Sequence, residues 1–293
     1  MPWLQAQVRT RRDRTEAAEA LLETLGALSV TLEDAADQPL LEPGPGDTPL
    51  WDATLVTGLF AATTDTEALH DALVLGLDDP SASIGITPLE DQPWERAWLD
   101  HFKPMRFGRR LWICPHGQSL LDAGTDAVVL HLDPGLAFGT GTHPTTALCL
   151  EWLEGADLKG KTLIDYGCGS GVLGIAALLL GAANVIAIDH DPQALMATAA
   201  NARQNGVDDR LATYTSGEAP PIAADILVAN ILAGVLIALA PTLTAGVSPS
   251  GRLVLSGILE TQVAEVQQAY APGFSFAPTE SKDGWTLLTA CKN

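Results

Sequence analysis

The sequence predicts an α/β protein in which a doubly wound, Rossmann-like sheet ends in an antiparallel hairpin and follows a small α+β domain of ferredoxin-like order. Three observations support this fold class. Helical and strand-like segments alternate from about residue 145 onward. The first 90 residues follow the order β-α-β-β-α-β. The last two strand-like segments are separated by Lys282-Asp283-Gly284, which has the composition of a hairpin turn.

The first domain is expected to span residues 1–90. Its strand segments alternate apolar and polar residues, whereas its helical segments repeat apolar residues at helical spacing. An acidic segment rich in Pro and Gly between the second and third strands predicts a loop. The predicted strands are 3–9, 27–32, 55–60 and 83–87, and the predicted helices are 14–25 and 66–75.

Residues 91–105 predict a connecting helix or linker. Trp94 and Trp98 are one helical turn apart and would share one face, where they are expected to pack against a domain. The second domain is expected to span residues 106–293.

Two long uncharged runs in the second domain, 171–188 and 226–251, have the length of membrane spans. Internal Gly, Asn and Pro residues divide each run into a short helix and a short strand, as in a parallel sheet buried on both faces. We therefore expect no membrane segment. The predicted strands are 109–113, 128–132, 162–165, 185–189, 211–215, 226–230, 252–256, 274–278 and 285–291, and the predicted helices are 145–155, 171–181, 192–205, 232–245 and 258–270.

The chain is strongly acidic, with 16 Lys and Arg against 36 Asp and Glu and a formal net charge of −20. Residues 1–91 hold 4 basic and 17 acidic residues, so their net charge is 4 − 17 = −13. This balance argues against binding to nucleic acid or to an anionic membrane surface, because both need a basic face. An acidic first domain is compatible with docking of a basic partner as well as with simple solubility.

The four cysteines, Cys114, Cys149, Cys168 and Cys291, form no CxxC pair and match no zinc spacing. The start of the chain has no apolar signal-peptide core. Both features predict a reduced, cytoplasmic protein without a metal site. We also expect the protein to be a monomer.

A glycine loop gives the strongest local signal. An apolar strand ends at Asp165, and Gly167, Gly169 and Gly171 follow at alternate positions before a helix begins. A loop without Cβ atoms lets the backbone approach a ligand closely. Asp189 ends the next strand, where its carboxylate can accept hydrogen bonds from a ribose diol.

The same loop also contains a GxGxxG pattern at Gly169, Gly171 and Gly174, which is found in dinucleotide-binding proteins. Two features disfavour a diphosphate. Asp165 would repel it, and the helix start has no accompanying Lys, Arg or Ser/Thr pair. A carboxylate there attracts an ammonium instead, so a ligand that combines adenosine with an amino acid, S-adenosylmethionine, fits better.

A second cluster of candidate site residues lies between residues 138 and 146. Thr145 and Thr146 begin a helix whose first turn contains Pro144, and free N–H groups there suit a carboxylate or the edge of a ligand. His143 is either a base or a cap of this helix. Phe138, in the glycine-rich segment before it, is either a wall of the ligand site or an ordinary packing residue.

Asn230 ends another predicted strand, on the edge where ligands bind to such sheets. Its carboxamide oxygen can accept a hydrogen bond from an incoming amine, although it could also serve only as a strand cap. We predict that Asn230 orients an acceptor amine.

Four segments resemble, in order and spacing, the ribosomal protein methyltransferase family PrmA. They are GLAFGTGTHPTT at 135–146, IDYGCGSGVLGIAA at 164–177, AIDHDPQAL at 187–195 and VANILAG at 228–234. The resemblance implies an N-terminal domain that recognises ribosomal protein L11 and a C-terminal domain that binds S-adenosylmethionine. It also implies trimethylation of the α-amine and lysine ε-amines of L11. The acidic first domain of this chain leads us to expect that the substrate is free of the ribosome and that the chain makes no direct contact with nucleic acid.

The resemblance places cofactor contacts at Thr146, with Thr145 beside it, and at Gly167, Asp189 and Asn230. The NPPY motif typical of amide methylation is replaced by Asn-Ile-Leu-Ala at 230–233, which disfavours Gln or adenine as the acceptor.

Three alternatives remain open from the sequence. A small-molecule methyltransferase would need no separate acidic domain. An NAD-dependent oxidoreductase is disfavoured by Asp165 and by the terminal hairpin. A binding module without catalysis would not need the glycine loop, Asp189 and Asn230 together.

Overall fold

The structure is a computed structural model of the chain, and it describes residues 3–36, 38, 50–89, 103–115, 118, 120, 124–132 and 143–293. Contacts between residues divide the chain into two compact units, Met1–Ala97 and Trp98–Asn293. Most of the predicted connecting helix at 91–105 lies outside the described residues, with Trp94 and Trp98. Its last residue, Met105, begins a strand, so a linker that extends to residue 105 was wrong at this end.

In the part of the first unit that the structure describes, four strands and two helices follow the predicted β-α-β-β-α-β order. Its sheet has the order β2-β3-β1-β4, and each neighbouring pair is antiparallel. The elements are β1 (Trp3–Arg11), α1 (Thr15–Thr24), β2 (Ser29–Asp34), β3 (Ala53–Ala61), α2 (Thr66–Leu77) and β4 (Ser83–Leu89).

Alternation along β1 and β3 directs one face of this sheet into a core with the two helices. Leu22 of α1, Phe60 of β3 and Leu73 of α2 are almost fully buried in that core. Helix α2 begins where the side chain of Asp65 accepts hydrogen bonds from the N–H groups of Glu67 and Ala68. This cap satisfies two N–H groups that have no partner within the helix.

The second unit is built on a large mixed sheet with the strand order β10-β9-β8-β11-β12-β15-β13. Strands β10, β9, β8, β11 and β12 are parallel to their neighbours, whereas β15 is antiparallel to β12, β13 and β14. The strands of this sheet are β8 (Thr162–Tyr166), β9 (Asn184–Asp189), β10 (Leu211–Thr215), β11 (Ala224–Asn230), β12 (Val247–Leu259), β13 (Phe274–Phe276), β14 (Glu280–Lys282) and β15 (Trp285–Lys292).

Helices pack on both faces of this sheet, which explains the uninterrupted apolar runs in its parallel strands. The helices are α3 (Pro144–Gly155), α4 (Val172–Leu179), α5 (Pro192–Gln204), α6 (Ala233–Ala238), α7 (Ala240–Ala245) and α8 (Val263–Tyr270). Among the described residues, none of the helices has the length and apolar character that a membrane crossing requires.

A separate three-stranded sheet, in the order β5-β6-β7, precedes α3 in the chain. Its strands are β5 (Met105–Phe107), β6 (Leu111–Cys114) and β7 (Val128–His131). The backbone N–H of His131 donates to Oδ1 of Asn205, and Nδ2 of Asn205 donates back to the carbonyl of His131, both at 2.8 Å. This pair of hydrogen bonds fixes β7 beside the end of α5.

Two predicted helices were wrong in detail. The single helix predicted at 232–245 is interrupted at Leu239, because Pro241 has no N–H to continue the hydrogen-bond ladder. The helix predicted at 258–270 begins only at Val263, since β12 continues to Leu259 and a 3-10 turn follows.

A bulge in β12 accounts for the longer strand. The register against β15 shifts between Leu255 and Ile258, and Gly257 between them has a φ of 81°. A Cβ atom at Gly257 would lie 2.3 Å from the carbonyl oxygen of Ile231, so only glycine fits. Sequence periodicity carries no signal for pairing of this kind.

Candidate functional site

The predicted site residues meet at one edge of the large sheet. Strands β9, β8 and β11 are adjacent and parallel, so their carboxyl ends lie on the same edge. Asp189 ends β9 and Asn230 ends β11, and the glycine loop leaves β8 between them. Ligands of open α/β sheets bind at such an edge.

The glycine loop turns sharply against β9. The N–H groups of Gly167 and Cys168 both donate to the carbonyl of Ile188, at 2.7 and 3.1 Å. Gly167, Gly169 and Gly171 all have positive φ, at 76°, 54° and 80°. A Cβ atom on Gly167 would also lie 2.4 Å from Cγ2 of Ile231, so this position needs glycine for space as well as for conformation.

Helix α5 holds the loop from its other side. The hydroxyl of Thr198 donates to the carbonyl of Gly169 at 3.0 Å, and Nδ2 of Asn201 donates to the carbonyl of Ser170 at 2.8 Å. These bonds use loop carbonyl groups. The loop is therefore held rigidly by bonds that do not involve a ligand, as expected of a preorganised binding surface.

Asp189 is held by the loop that it faces. The carboxylate is 7 % exposed; Oδ2 accepts the N–H of Gly169 at 2.9 Å, and Oδ1 accepts the N–H of Asp191 at 3.0 Å. Nδ1 of His190 also lies 3.2 Å from Oδ1. A carboxylate has about four lone-pair directions, so acceptor capacity remains for a hydroxyl donor at this edge.

Asp165 lies beneath the loop and is only 1 % exposed. Its Oδ2 accepts the N–H of Gly174 in α4 at 2.9 Å. Burial raises the pKa of Asp165 to about 7; the Gly174 hydrogen bond opposes this shift, and the negative charge of Asp189 adds to it. The described hydrogen bond thus links the carboxyl group to helix α4, although the sequence suggested an ammonium as its partner.

The start of α3 supplies the second half of the site. His143 is the N-cap: its Nδ1 accepts the N–H of Thr145 at 3.4 Å and lies 2.8 Å from the Thr145 hydroxyl. Pro144 occupies the first turn, as the sequence predicted. Of the two roles considered for His143, the structure shows the cap. Partial desolvation lowers the pKa of the His143 ring, which favours the neutral imidazole.

A hydrogen bond joins the two halves. Nδ2 of Asn230 donates to the hydroxyl of Thr146 at 3.2 Å, across 84 positions of sequence. Thr146 is 3 % exposed, so the bond forms in a nearly dry environment. Because Nδ2 is used in this way, the amide is oriented and its Oδ1 is the atom that remains to accept a hydrogen bond from a ligand.

The charge of the site suits a cationic ligand. Among the described residues, no Lys or Arg forms an ion pair with Asp165 or Asp189. The described residues also contain no cluster of His, Cys, Asp and Glu that could hold a metal ion. A diphosphate would meet uncompensated negative charge here, whereas a ligand with positive charges would not.

Comparison with known proteins decides the family. The model of the family "Ribosomal protein L11 methyltransferase (PrmA)" matches residues 2–293. This chain belongs to the PrmA family.

The alignments with relatives cover nearly the full length of each relative. "Ribosomal protein L11 methyltransferase" of Marinobacter nauticus is 54 % identical, over 99 % of this chain and 98 % of its own. The protein of that name from Azotobacter vinelandii is 54 % identical, over 98 % of both chains. The crystal structure of ribosomal protein L11 methylase from Lactobacillus delbrueckii subsp. bulgaricus is 32 % identical, with a TM-score of 0.59, and covers 66 % of this chain and 99 % of its own.

One residue at this PrmA site, Trp285, was not predicted from the sequence. Trp285, the first residue of β15, lies with its ring centroid 5.0 Å from that of His143 at an interplanar angle of 69°. It pairs with Leu259 at the end of β12, so it lies on the ligand edge. The hairpin was predicted, but the antiparallel insertion of β15 beside β12 was not, and that placement brings Trp285 to the site. Phe138, the other aromatic candidate, lies outside the described residues.

Proposed function

We propose that this chain transfers methyl groups from S-adenosylmethionine to amino groups of ribosomal protein L11. Membership of the PrmA family over residues 2–293 is the observation that carries the proposal. The edge between Asp189 and Asn230 supports it independently, since its charge and hydrogen-bonding groups suit this cofactor and no metal is needed.

The residues at the edge fit the parts of S-adenosylmethionine. Asp189 would accept hydrogen bonds from the ribose hydroxyls, and the glycine loop at Gly167, Gly169 and Gly171 would lie against the amino-acid portion. Thr145 and Thr146 would contact the same ligand from the start of α3. The buried carboxyl group of Asp165 contributes by holding helix α4, which follows the loop, through the N–H of Gly174. The carboxylate of Asp189 makes the local potential negative, which favours an ammonium.

When bound, the cofactor supplies a methyl group that is already activated on a sulfonium. The chain therefore has to position an acceptor amine and exclude competing water rather than activate the donor. Asn230 is placed for this role: its Nδ2 is held by Thr146, so its Oδ1 is directed and can accept an N–H of the incoming amine. The amine lone pair is thereby left to face the donor.

The acceptor must be uncharged to react. Lysine in water has a pKa of about 10.4 and an α-amine about 7.7–8.0. A site that removes water lowers the pKa of an ammonium, and so does a neighbouring cation. No side-chain base is then required, and the proton leaves through water. His143 is not needed as a base in this scheme, and its Nδ1 is already used in capping α3.

The first unit suits a recognition role in this proposal. Its sheet order β2-β3-β1-β4 and its element order are those of a ferredoxin-like domain, which would span residues 1–90. Its net charge of −13 over residues 1–91 complements a basic ribosomal protein and would be repelled by the phosphates of ribosomal RNA. L11 that is free in the cytoplasm, before assembly, is therefore the proposed substrate, and the enzyme acts as a monomer.

Methyl transfer to purified ribosomal proteins tests the proposal. The enzyme is incubated with S-adenosylmethionine that carries a labelled methyl group, first with a mixture of ribosomal proteins and then with a panel of small amines. The label should appear in L11 and not in the small amines. Label confined to small amines would favour the alternative of a small-molecule methyltransferase.

A further inference from the structure

Trp285 occupies a defined place on the ligand edge. Going along the sheet, the carboxyl end of β9 carries Asp189, that of β11 carries Asn230, and that of β12 carries Leu259. Strand β15 comes next and is antiparallel, so its first residue, Trp285, pairs with Leu259 at the same edge. Asn230 therefore lies between Asp189 and Trp285, and the indole is on the side away from the proposed ribose contact.

The first turn of α3 connects Asn230 with Trp285. Thr146 accepts the hydrogen bond from Asn230, and His143, three residues earlier, makes an edge-to-face contact with the indole. An edge-to-face pair leaves at least one face of the indole uncovered by His143. Partial desolvation lowers the pKa of His143, which favours the neutral ring and so disfavours a charge that would repel a cation.

The hairpin holds Trp285 in this place. Nζ of Lys282, in β14, lies 3.3 Å from Oε1 of Glu151 in α3. The N–H of Glu260 donates to the carbonyl of Gly284 at 3.2 Å. The hairpin that carries Trp285 is thus attached to β12 and to α3 through contacts that do not involve the indole itself.

Repeated methylation of one amine removes its N–H groups one by one, so the last transfer needs a contact other than a hydrogen bond to position the nitrogen. A neutral primary amine has two N–H groups and a monomethylamine has one, so either can donate to Oδ1 of Asn230. A neutral dimethylamine has none, and the hydrogen bond to Asn230 is no longer available. In the third transfer the nitrogen lone pair forms the new N–C bond while the S–C bond breaks with its electron pair on sulfur, and no proton is released. The product is a quaternary ammonium, which has no N–H to donate and which the face of an aromatic ring attracts.

We propose that Trp285 positions the dimethylated amine for the third methyl transfer and binds the trimethylammonium product through its indole face. Asn230 orients the amine in the first two transfers, and Trp285 takes over when the last N–H is gone. This inference rests on the proposed function and assigns to one residue the multiplicity of methylation.

The test follows L11 by mass spectrometry over time with wild-type enzyme, Trp285→Leu and Trp285→Phe. Trp285→Leu is expected to slow the third transfer about 10- to 30-fold relative to the first, the size of a desolvated cation–π contact, so that dimethylated amines accumulate. Trp285→Phe keeps an aromatic face and should restore most of the trimethylated product. Glu280→Gln, at an exposed position of the same hairpin that the contacts described above do not use, is the control and should leave the product ratio unchanged.

A binding measurement separates this role from a structural one. Calorimetry of wild-type enzyme with free trimethyllysine and with lysine should show a preference for trimethyllysine that Trp285→Leu abolishes, while thermal unfolding of the two proteins remains alike. An equal slowing of all three transfers, or an unchanged product ratio in Trp285→Leu, would overturn the assignment. Wild-type enzyme that methylates L11 but never beyond the dimethyl stage would also overturn it, and leave the proposed activity intact; absence of any methylation would refute the activity itself.

Discussion

The amide of Asn230 donates its hydrogen bond to the hydroxyl of Thr146 at 3.2 Å, and this contact joins the end of β11 to the start of α3. One bond therefore aligns the amide proposed to orient the acceptor amine with the helix turn that carries His143 and contacts Trp285.

Replacing Thr146 by Val should uncouple these two elements. The substitution keeps the shape but removes the acceptor for Nδ2 of Asn230, which leaves the amide free to rotate. Loss of one neutral hydrogen bond is expected to lower kcat/KM for L11 about three- to tenfold. Steady-state methyl transfer measures this, with Thr213→Val in β10 as a control outside the site. Activity equal to that of the control would mean that the bond does not orient Asn230.

Asp189→Ala should weaken cofactor binding while the fold persists. The change removes acceptors for the ribose and also the partner of the Gly169 N–H. Hydrogen bonds to a charged group contribute about 1.5–3 kcal/mol, so affinity for S-adenosylmethionine should fall about 10- to 100-fold. Calorimetry gives the affinity, and Asp209→Asn, at an exposed carboxylate, is the matched control. Unchanged affinity in a folded Asp189→Ala protein would remove Asp189 from the site.

Asp165 should make stability depend on pH. Its folded pKa, raised to about 7, exceeds the ordinary value near 3.8, so the folded protein binds the extra proton between those values. The stability contributed by this group is therefore present at low pH and lost as pH rises toward and through 7. Asp165→Asn should flatten that part of the pH profile of the unfolding temperature. Parallel profiles for both proteins from pH 5 to about 8 would contradict the raised pKa.

The carboxylate of Glu154 should stabilise the turn between β5 and β6. Its side chain is 5 % exposed; Oε1 lies 3.3 Å from Nε of Arg110, and Oε2 accepts the N–H of Arg109 at 3.2 Å. Glu154→Gln is expected to cost about 1–3 kcal/mol of unfolding free energy in urea. Glu151→Gln removes an exposed pair on the same helix and should cost at most about 1 kcal/mol. Equal losses of unfolding free energy in the two variants would show that burial does not strengthen the contacts of Glu154.

Affinity for free L11 should depend on salt. The charge of −13 in residues 1–91 attracts a basic protein over a distance that shrinks to about 10 Å at 0.1 M ionic strength. Raising the salt should weaken binding mainly through a slower association rate. Surface plasmon resonance at several salt concentrations measures this. Salt-independent association would show that the acidic unit does not steer L11.

The sequence indicated which residues lie together at this edge because their signals are local. Gly167, Gly171 and Asp189 belong to a strand-turn-helix pattern with a short-range physical requirement, and the structure places them at one edge. The Thr146–Asn230 bond links segments 84 positions apart, and the position of Trp285 depends on the insertion of β15 beside β12. Neither has a local signature. Pro241 did carry one, and the break in the predicted helix at Leu239 follows from it.

The most direct test of the central claim is labelled methyl transfer to purified L11, compared between wild-type enzyme and Asn230→Ala, with mass mapping of the product. The wild-type enzyme should label amino groups of L11, and Asn230→Ala should bind S-adenosylmethionine while the first transfer slows about 10-fold or more, as for loss of an orienting contact. Label on groups other than amines, or undiminished transfer by Asn230→Ala, would contradict the site described at the ends of β9 and β11.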